Sequence, residues 1–206
     1  MKALILIDIQ NDFLPTGALP VPEGNEVIAV ANRLMPSYGL VVATQDWHPA
    51  NHGSFAANHL GKKPGELITL NGLPQLLWPT HCVQNTRGAE FAPGLNVRRI
   101  AHITQKGMNP AIDSYSGFFD NGHTEATDLH AYLQARGIRE IHLVGLATDY
   151  CVKFTALDAR QLGYRVHVLL SGCRGVDLNR GDVERAIREM TDAGVKIRSE
   201  FTVAAA

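Results

Sequence analysis

The stretch Val144-Gly145-Leu146-Ala147-Thr148-Asp149-Tyr150-Cys151-Val152 decides how this chain folds. Upstream, residues 141–146 form a short, almost wholly apolar run. Downstream, from Cys151 to Leu162, apolar residues recur at helical spacing (Val152, Phe154, Ala156, Leu157, Ala159, Leu162) until Gly163. The first pattern is that of a strand buried on both faces and the second that of an amphipathic helix, so one cysteine tops a strand-turn-helix unit. Unpaired N–H groups at a helix N-terminus favour negative charge, which makes this a place to build a nucleophile. A free cysteine standing alone is more often structural, so the reading depends on its company.

Outward from that unit, strand-like runs at 3–7, 40–44, 100–104, 141–146, 166–170 and 196–201 alternate with helical patterns near 23–38, 124–135, 151–162 and 179–193. Such alternation predicts parallel strands joined by right-handed crossovers. The expected fold is α/β, a three-layer α/β/α sandwich around a mainly parallel six-stranded sheet of Rossmann-like type. Residues 1–206 read as a single domain without repeats or linkers. The stretch from about 46 to 94 differs, being rich in Pro, Gly, Asn and His with little periodicity, and is expected to be a functional excursion over the site.

The 206 residues are 45% hydrophobic with a formal charge of -1. That is enough for a sizeable core, and it carries no cationic excess for nucleic acid or an anionic membrane surface. The apolar run at 3–7 is cut short by Asp8, so neither a membrane span nor a secretory segment is read, and a cytoplasmic location is expected. Three cysteines, Cys82, Cys151 and Cys173, do not make a disulfide framework and suit a reducing compartment.

In open parallel sheets, ligands gather beyond the carboxyl ends of the strands. Asp8 follows the first predicted strand, Asp46 and His48 the second, Lys106 the third and Cys151 the fourth. Singly, Asp8 could cap a turn and Lys106 could be a solvated surface lysine; their shared location favours chemistry. An aspartate can take the thiol proton and return it to a leaving amine, while an ammonium keeps both neighbours oriented. Backbone N–H groups of Ala147 and Cys151 are placed to hold an oxyanion.

A second set is metallic. Asp46-Trp47-His48 puts two ligand types at i, i+2, on one face of an extended segment, and Trp78-Pro79-Thr80-His81-Cys82-Val83 supplies a further imidazole. Isolated histidines are usually not ligands, but a carboxylate with two imidazoles suits zinc, iron or manganese and leaves open positions. His52, Ser54 and His59 compete to complete the shell, and Cys82 reads as packing.

Together, Asp8-Ile9-Gln10-Asn11-Asp12-Phe13, Thr44-Gln45-Asp46-Trp47-His48-Pro49, Trp78 to Val83, Gln105-Lys106-Gly107, Asp113-Ser114-Tyr115-Ser116-Gly117-Phe118 and Gly145 to Val152 resemble the nicotinamidases among the isochorismatase-like cysteine hydrolases, in order and over essentially the whole chain. The resemblance implies a catalytic set of Asp8, Lys106 and Cys151 and metal ligands Asp46, His48 and His81. The fourth ligand position, counted from Asp46, falls on Ser54, acting directly or through water. It also implies a cis peptide between Leu146 and Ala147. The implied reaction is deamidation of nicotinamide to nicotinate and ammonia in NAD salvage, with pyrazinamide as a further substrate. The pyridine nitrogen is expected on the metal and the ring between Phe13 and Trp78, with Tyr115 as a further wall. The partner is then a small molecule, and a homo-oligomer is compatible with it.

Two alternatives stand beside this reading. One is a related cysteine amidohydrolase acting on a ureido or carbamoyl compound, which leaves the Asp46, His48 and His81 set unexplained. The other is a non-catalytic small-molecule-binding module, although no Gly-x-Gly-x-x-Gly or phosphate loop opens a helix here.

Overall fold

The computed structural model describes residues 1–199. Its main sheet has six strands: β1 (Lys2–Ile7), β2 (Val41–Asp46), β5 (His102–Lys106), β6 (Glu140–Leu146), β7 (Arg165–Arg174) and β8 (Lys196–Arg198). They lie in the order β5-β2-β1-β6-β7-β8, and every pairing is parallel. Counted along the main sheet alone this is the doubly wound order, 3-2-1-4-5-6, whose direction reverses beside β1. The end of the strand predicted at 196–201 and the Ala204–Ala206 tail lie outside the described residues.

Alternation along β1 shows how the layers form. Ala3, Ile5 and Ile7 pack on one side with Leu129 and Leu133 of α2 (Leu129–Ala135), Ala156 and Ala159 of α3 (Lys153–Gln161) and Met190 of α4 (Asp182–Asp192). Leu4 and Leu6 pack on the other with Val27, Ala31 and Leu34 of α1 (Glu26–Leu34). These five β1 residues are all fully buried. Successive side chains of a strand point to opposite faces, so an apolar residue at every position requires a cover on both sides. The expected three-layer α/β/α architecture is present.

Several boundaries differ from the sequence reading. The first helix runs Glu26–Leu34 and then tightens into a 3-10 turn, Met35–Ser37, at Pro36, which cannot continue an α-helical hydrogen-bond ladder. The helix expected from Cys151 starts instead at Lys153, after a single π-helical turn over Thr148–Val152. β2 and β5 extend to Asp46 and Lys106, so these residues end their strands rather than follow them. They are also direct partners in the parallel register. The excursion at 46–94 contains an antiparallel hairpin, β3 (Leu67–Leu70) and β4 (Leu73–Leu76). Its turn is Asn71-Gly72, both with positive φ (48° and 81°), the backbone that a tight hairpin requires.

Gly145 makes the turn into Cys151 sterically feasible. It sits at φ 131° where a Cβ would collide with the backbone of Ile7, so only glycine lets β6 run this close to the end of β1. The Leu146–Ala147 peptide that follows is cis, as expected.

Candidate active site

Asp8, Asp46, Lys106 and Cys151 converge where the strand order reverses. Lys106 is the hub, buried to 2% exposure. Its Nζ lies 3.0 Å from Asp8 Oδ2, is bonded to Asp46 Oδ1, donates to the Ser114 carbonyl at 2.9 Å and reaches Cys151 Sγ at 3.5 Å. The sequence reading paired Lys106 with Asp8 and Cys151; the adjacent register of β2 and β5 adds Asp46 as a direct contact. Asp8 takes a left-handed conformation (φ 46°), held by Thr44, whose hydroxyl donates to Asp8 Oδ1 (2.6 Å) and accepts from the Asp8 N–H (3.2 Å). Such a conformation is uncommon outside glycine and costs roughly 1–3 kcal/mol, so its surroundings must over-determine it.

The electrostatics of the cluster follow from burial first. Burial raises the pKa of Asp8, and the repulsion of Asp46 adds to it, against the opposing pull of Lys106 and the Thr44 hydrogen bond. At Asp46 burial also raises, but Lys106 and His48 outweigh it and hold the carboxyl well below the usual range. Burial pushes the Cys151 thiol well up, Lys106 opposes this, and Asp8 reinforces it. Desolvation thus works against the negative charge that the turn was expected to favour at Cys151, while Lys106 works for it. Asp8, whose proton affinity is raised in the same pocket, is suited to exchange a proton with a neighbouring group.

The metal candidates lie against this cluster. Asp46, His48 and His81 each offer a ligand atom, all within 4.8 Å of one another. His48 Nδ1 donates to the Gly107 carbonyl at 2.8 Å and His81 Nδ1 to the Pro79 carbonyl at 2.8 Å. A carbonyl can only accept, so both Nδ1 atoms carry the hydrogen and both Nε2 lone pairs are free to ligate. Those Nε2 atoms face Asp46 Oδ2 at 3.6 and 3.9 Å. Two preset imidazoles and one carboxylate oxygen fit a divalent ion. Asp46 is held by Gln10, which accepts from its N–H (2.9 Å) and donates to its carbonyl (2.8 Å). Gly107 leaves room for the His48 ring, which a Cβ there would strike.

Around this set, Ser54 is fully buried and its hydroxyl bonds His52 Nδ1 at 2.7 Å. The His52 ring in turn packs 4.4 Å from that of His48, so Ser54 joins the metal residues through His52. His59 turns away, its Nε2 donating to the Gly53 carbonyl at 2.7 Å. Cys82 is fully buried in the α1-side core, as expected of a packing residue. Its N–H donates to Asp12 Oδ2 (2.7 Å), which fixes the loop that carries His81.

A cavity of about 390 Å³, its mouth included, joins the two sets and is lined by Cys151, Ala147, Asp46, His48 and His81. Phe13, Trp78 and Tyr115, the three aromatic walls expected from sequence, all line it. Leu19, Asp113, Tyr150 and Val176 line it too and escaped the sequence reading. Asp113 is anchored by Gln75 Nε2 (3.1 Å) and by the Ser114 N–H (2.8 Å). Val176 is held by Asp149, whose carboxylate accepts from the N–H groups of Val176 (2.9 Å) and Asp177 (2.8 Å). The Thr148-Asp149-Tyr150 motif carried a usable signal: a turn that places a nucleophile also aims its neighbours at the pocket.

An acid, an amine and a thiol meet at the switch point of a doubly wound sheet, beside an Asp-His-His set whose donor types suit a divalent metal, a combination that fits a hydrolase. The chain belongs to the isochorismatase domain family, whose family model matches residues 2–200. It is 53% identical over 200 residues to the nicotinamidase of Escherichia coli, covering 95% of this chain and 93% of that one. The yeast nicotinamidase bound to the inhibitor nicotinaldehyde superposes with a TM-score of 0.92 at 34% identity, over 97% of this chain and 100% of that one. The pyrazinamidase of Pyrococcus horikoshii in complex with zinc gives a TM-score of 0.78 at 40% identity, covering 95% and 97%.

Proposed function

We propose that this chain hydrolyses nicotinamide to nicotinate and ammonia through a thioester on Cys151, returning the pyridine ring to NAD synthesis. What carries the reading is one cavity that presents Cys151, Asp46, His48 and His81 together, in a chain 53% identical to a nicotinamidase. Asp8 accepts the thiol proton as Cys151 Sγ attacks the carboxamide carbon. Backbone N–H groups of Ala147 and Cys151 hold the oxyanion, the turn having placed both residues at the cavity. Ammonia leaves with the proton from Asp8. Asp8 then takes a proton from water, the resulting hydroxide attacks the thioester, and the released thiolate recovers that proton. Lys106 holds Asp8 and Cys151 in register throughout and balances the charge that passes between them.

Phe13 and Trp78 flank the ring, with Tyr115 at its edge. Asp46, His48 and His81 hold a divalent ion, zinc, iron or manganese, with Ser54 as a fourth position reached directly or through water. When bound, the ion supplies a Lewis acid toward the pyridine nitrogen. Residues 1–206 act as one domain. No helix among the described residues is long and apolar enough to cross a membrane, and three buried free cysteines suit a cytoplasmic setting. The test is ammonia release from nicotinamide by wild type and Cys151→Ala, with and without thorough chelation. Release by wild type, its loss in the variant and its reduction on chelation are expected. Turnover of a ureido compound with none of nicotinamide would refute the substrate, and activity indifferent to complete metal removal would refute the role of the ion.

A further inference from the structure

Two spaces meet at one aromatic wall. The cavity beside Cys151 and a neighbouring groove of about 780 Å³, its mouth likewise included, have Tyr115 and Tyr150 in common. Leu67, Leu76 and Phe154 make part of the groove's lining apolar, and Lys153 and Arg185, with the carboxylates of Asp149, Asp182 and Glu189, make another part charged. Both cations are already matched, Lys153 to Glu189 at 3.0 Å and Arg185 to Asp182. The groove therefore suits a neutral, flat group rather than an anion.

The two tyrosines are held in different ways. Tyr115 is pinned by hydrogen bonds, its hydroxyl accepting from Trp78 Nε1 (3.1 Å) and Gln75 Nε2 (3.3 Å). Tyr150 is held by packing. Its ring stands edge-on to Trp78 (4.9 Å, 82°) and to Tyr115 (5.4 Å, 67°), in the geometry aromatic pairs prefer. Its backbone is part of the nucleophile's own turn, the Tyr150 N–H donating to the Ala147 carbonyl at 3.1 Å. The ring is thus fixed one residue from Cys151, between the reacting centre and the groove.

We propose that Tyr150 is a specificity-determining partition: it confines this site to single-ring carboxamides, and the groove behind it receives the extra ring of a larger neutral aromatic amide once the partition is removed. This rests on the amidase reading above and deepens it, since it assigns the upper size limit of the substrate to one side chain. A wall in a close-packed pocket discriminates by the volume that it denies, and a difference of one methylene is worth roughly 10–200-fold in such pockets. An added aromatic ring lies well beyond that.

The test compares kcat/KM for ammonia release from nicotinamide, quinoline-3-carboxamide and 5-phenylnicotinamide, in wild type, Tyr150→Ala, Tyr150→Phe and Leu19→Ala. Leu19 lines the cavity but not the groove, so its truncation enlarges the cavity without opening it to the groove. Tyr150→Ala is expected to raise the rate ratio of at least one bulky amide to nicotinamide about tenfold or more. Tyr150→Phe keeps the wild-type preference, because the ring and not the hydroxyl forms the wall, and Leu19→Ala shifts the ratio by less than about threefold. The proposal is overturned by an unmoved ratio in Tyr150→Ala, by an equal shift in Leu19→Ala, or by a wild type that already turns over the bulky amides as well as nicotinamide. Tyr150→Leu, a smaller truncation, carries the same comparison should the alanine variant fail to fold. A wild type inactive on every pyridine carboxamide would overturn the amidase reading itself, whereas activity on nicotinamide with an unmoved ratio overturns only the partition.

Discussion

Replacing Lys106 by Met removes the one cation shared by two buried carboxylates. Lys106 and Asp8 side chains are 0% exposed and Asp46 is 6%, so solvent screening offers little relief. Breaking a buried ion pair by deleting one partner costs about 3–5 kcal/mol, because the other charge is left uncompensated. For a chain of this length each kcal/mol moves Tm by roughly 2–4 °C, so the metal-free variant is expected to melt about 6–20 °C below wild type. The surface pair Lys153–Glu189, with Glu189 53% exposed, provides the contrast. Lys153→Met should cost at most about 1 kcal/mol. When the ammonium goes, Asp46 keeps the opposing pull of His48 and His81 against its burial, whereas Asp8 keeps only the Thr44 hydrogen bond and more readily takes up a proton. The orphaned charge in Lys106→Met is therefore Asp46, and Lys106→Met/Asp46→Asn should recover stability, with a coupling energy of about 1–3 kcal/mol. Thermal and urea melts followed by circular dichroism measure five proteins: wild type, Lys106→Met, Asp46→Asn, the double variant and Lys153→Met. A Lys106→Met midpoint as mild as that of Lys153→Met, or a double variant no more stable than the sum of its singles, would refute this account of the cluster.

Four further outcomes are expected. Cys151→Ala should lose at least about a thousandfold in ammonia release while its Tm stays within a few degrees, which separates nucleophile from core residue. Chelation should lower Tm as well as activity, since a ligand of the folded state at a hundredfold its Kd adds about 2.7 kcal/mol; in His48→Ala that difference should shrink or vanish. Acid should destabilise the fold through the stacked pair His142 and His167, whose rings lie 4.5 Å apart. Burial lowers the pKa of both below 6.5, so beneath about pH 6.5 the unfolded chain binds more protons and stability falls with pH; His167→Gln should flatten part of that slope between pH 7 and 5, and an unchanged slope would count against it. Gly145→Ala should cost about 3 kcal/mol or more in urea melts, from its φ and the collision with Ile7 combined.

How much of this could be read from the chain depends on how local each cause is. Residues 141–162 declared themselves because strand and helix periodicities adjoin within one stretch. The ends of β2 and β5 did not, because Gln45-Asp46 and Gln105-Lys106 are polar and look like loop; they are strand because each pairs with the other. The hairpin in the excursion has strands of only four residues, one holding Pro74, so alternation had no length in which to show. Asn71-Gly72 was its one clear signal. Asp8, Asp46, His48, His81, Lys106 and Cys151 were legible as a set because each lies at or just beyond a strand end or in a chemically distinctive motif. Asp113 and Val176 were not, since they reach the cavity through hydrogen bonds to Gln75 and Asp149, partners 38 and 27 residues away. The proton affinity of Cys151 was also beyond reach, because desolvation depends on everything packed around the thiol.

Asp46 divides its two oxygens between tasks, Oδ1 to Lys106 and Oδ2 toward His48 and His81. On the proposed roles, one carboxylate therefore belongs at once to the ion's cradle and to the charge balance under the nucleophile. A change at Asp46 injures both, leaving Lys106 with Asp8 as its sole acidic neighbour and the imidazoles without their anion. His48 and His81 belong to one side only, Asp8 and Cys151 to the other. The two halves can be lost separately at those four positions, and only jointly at this one.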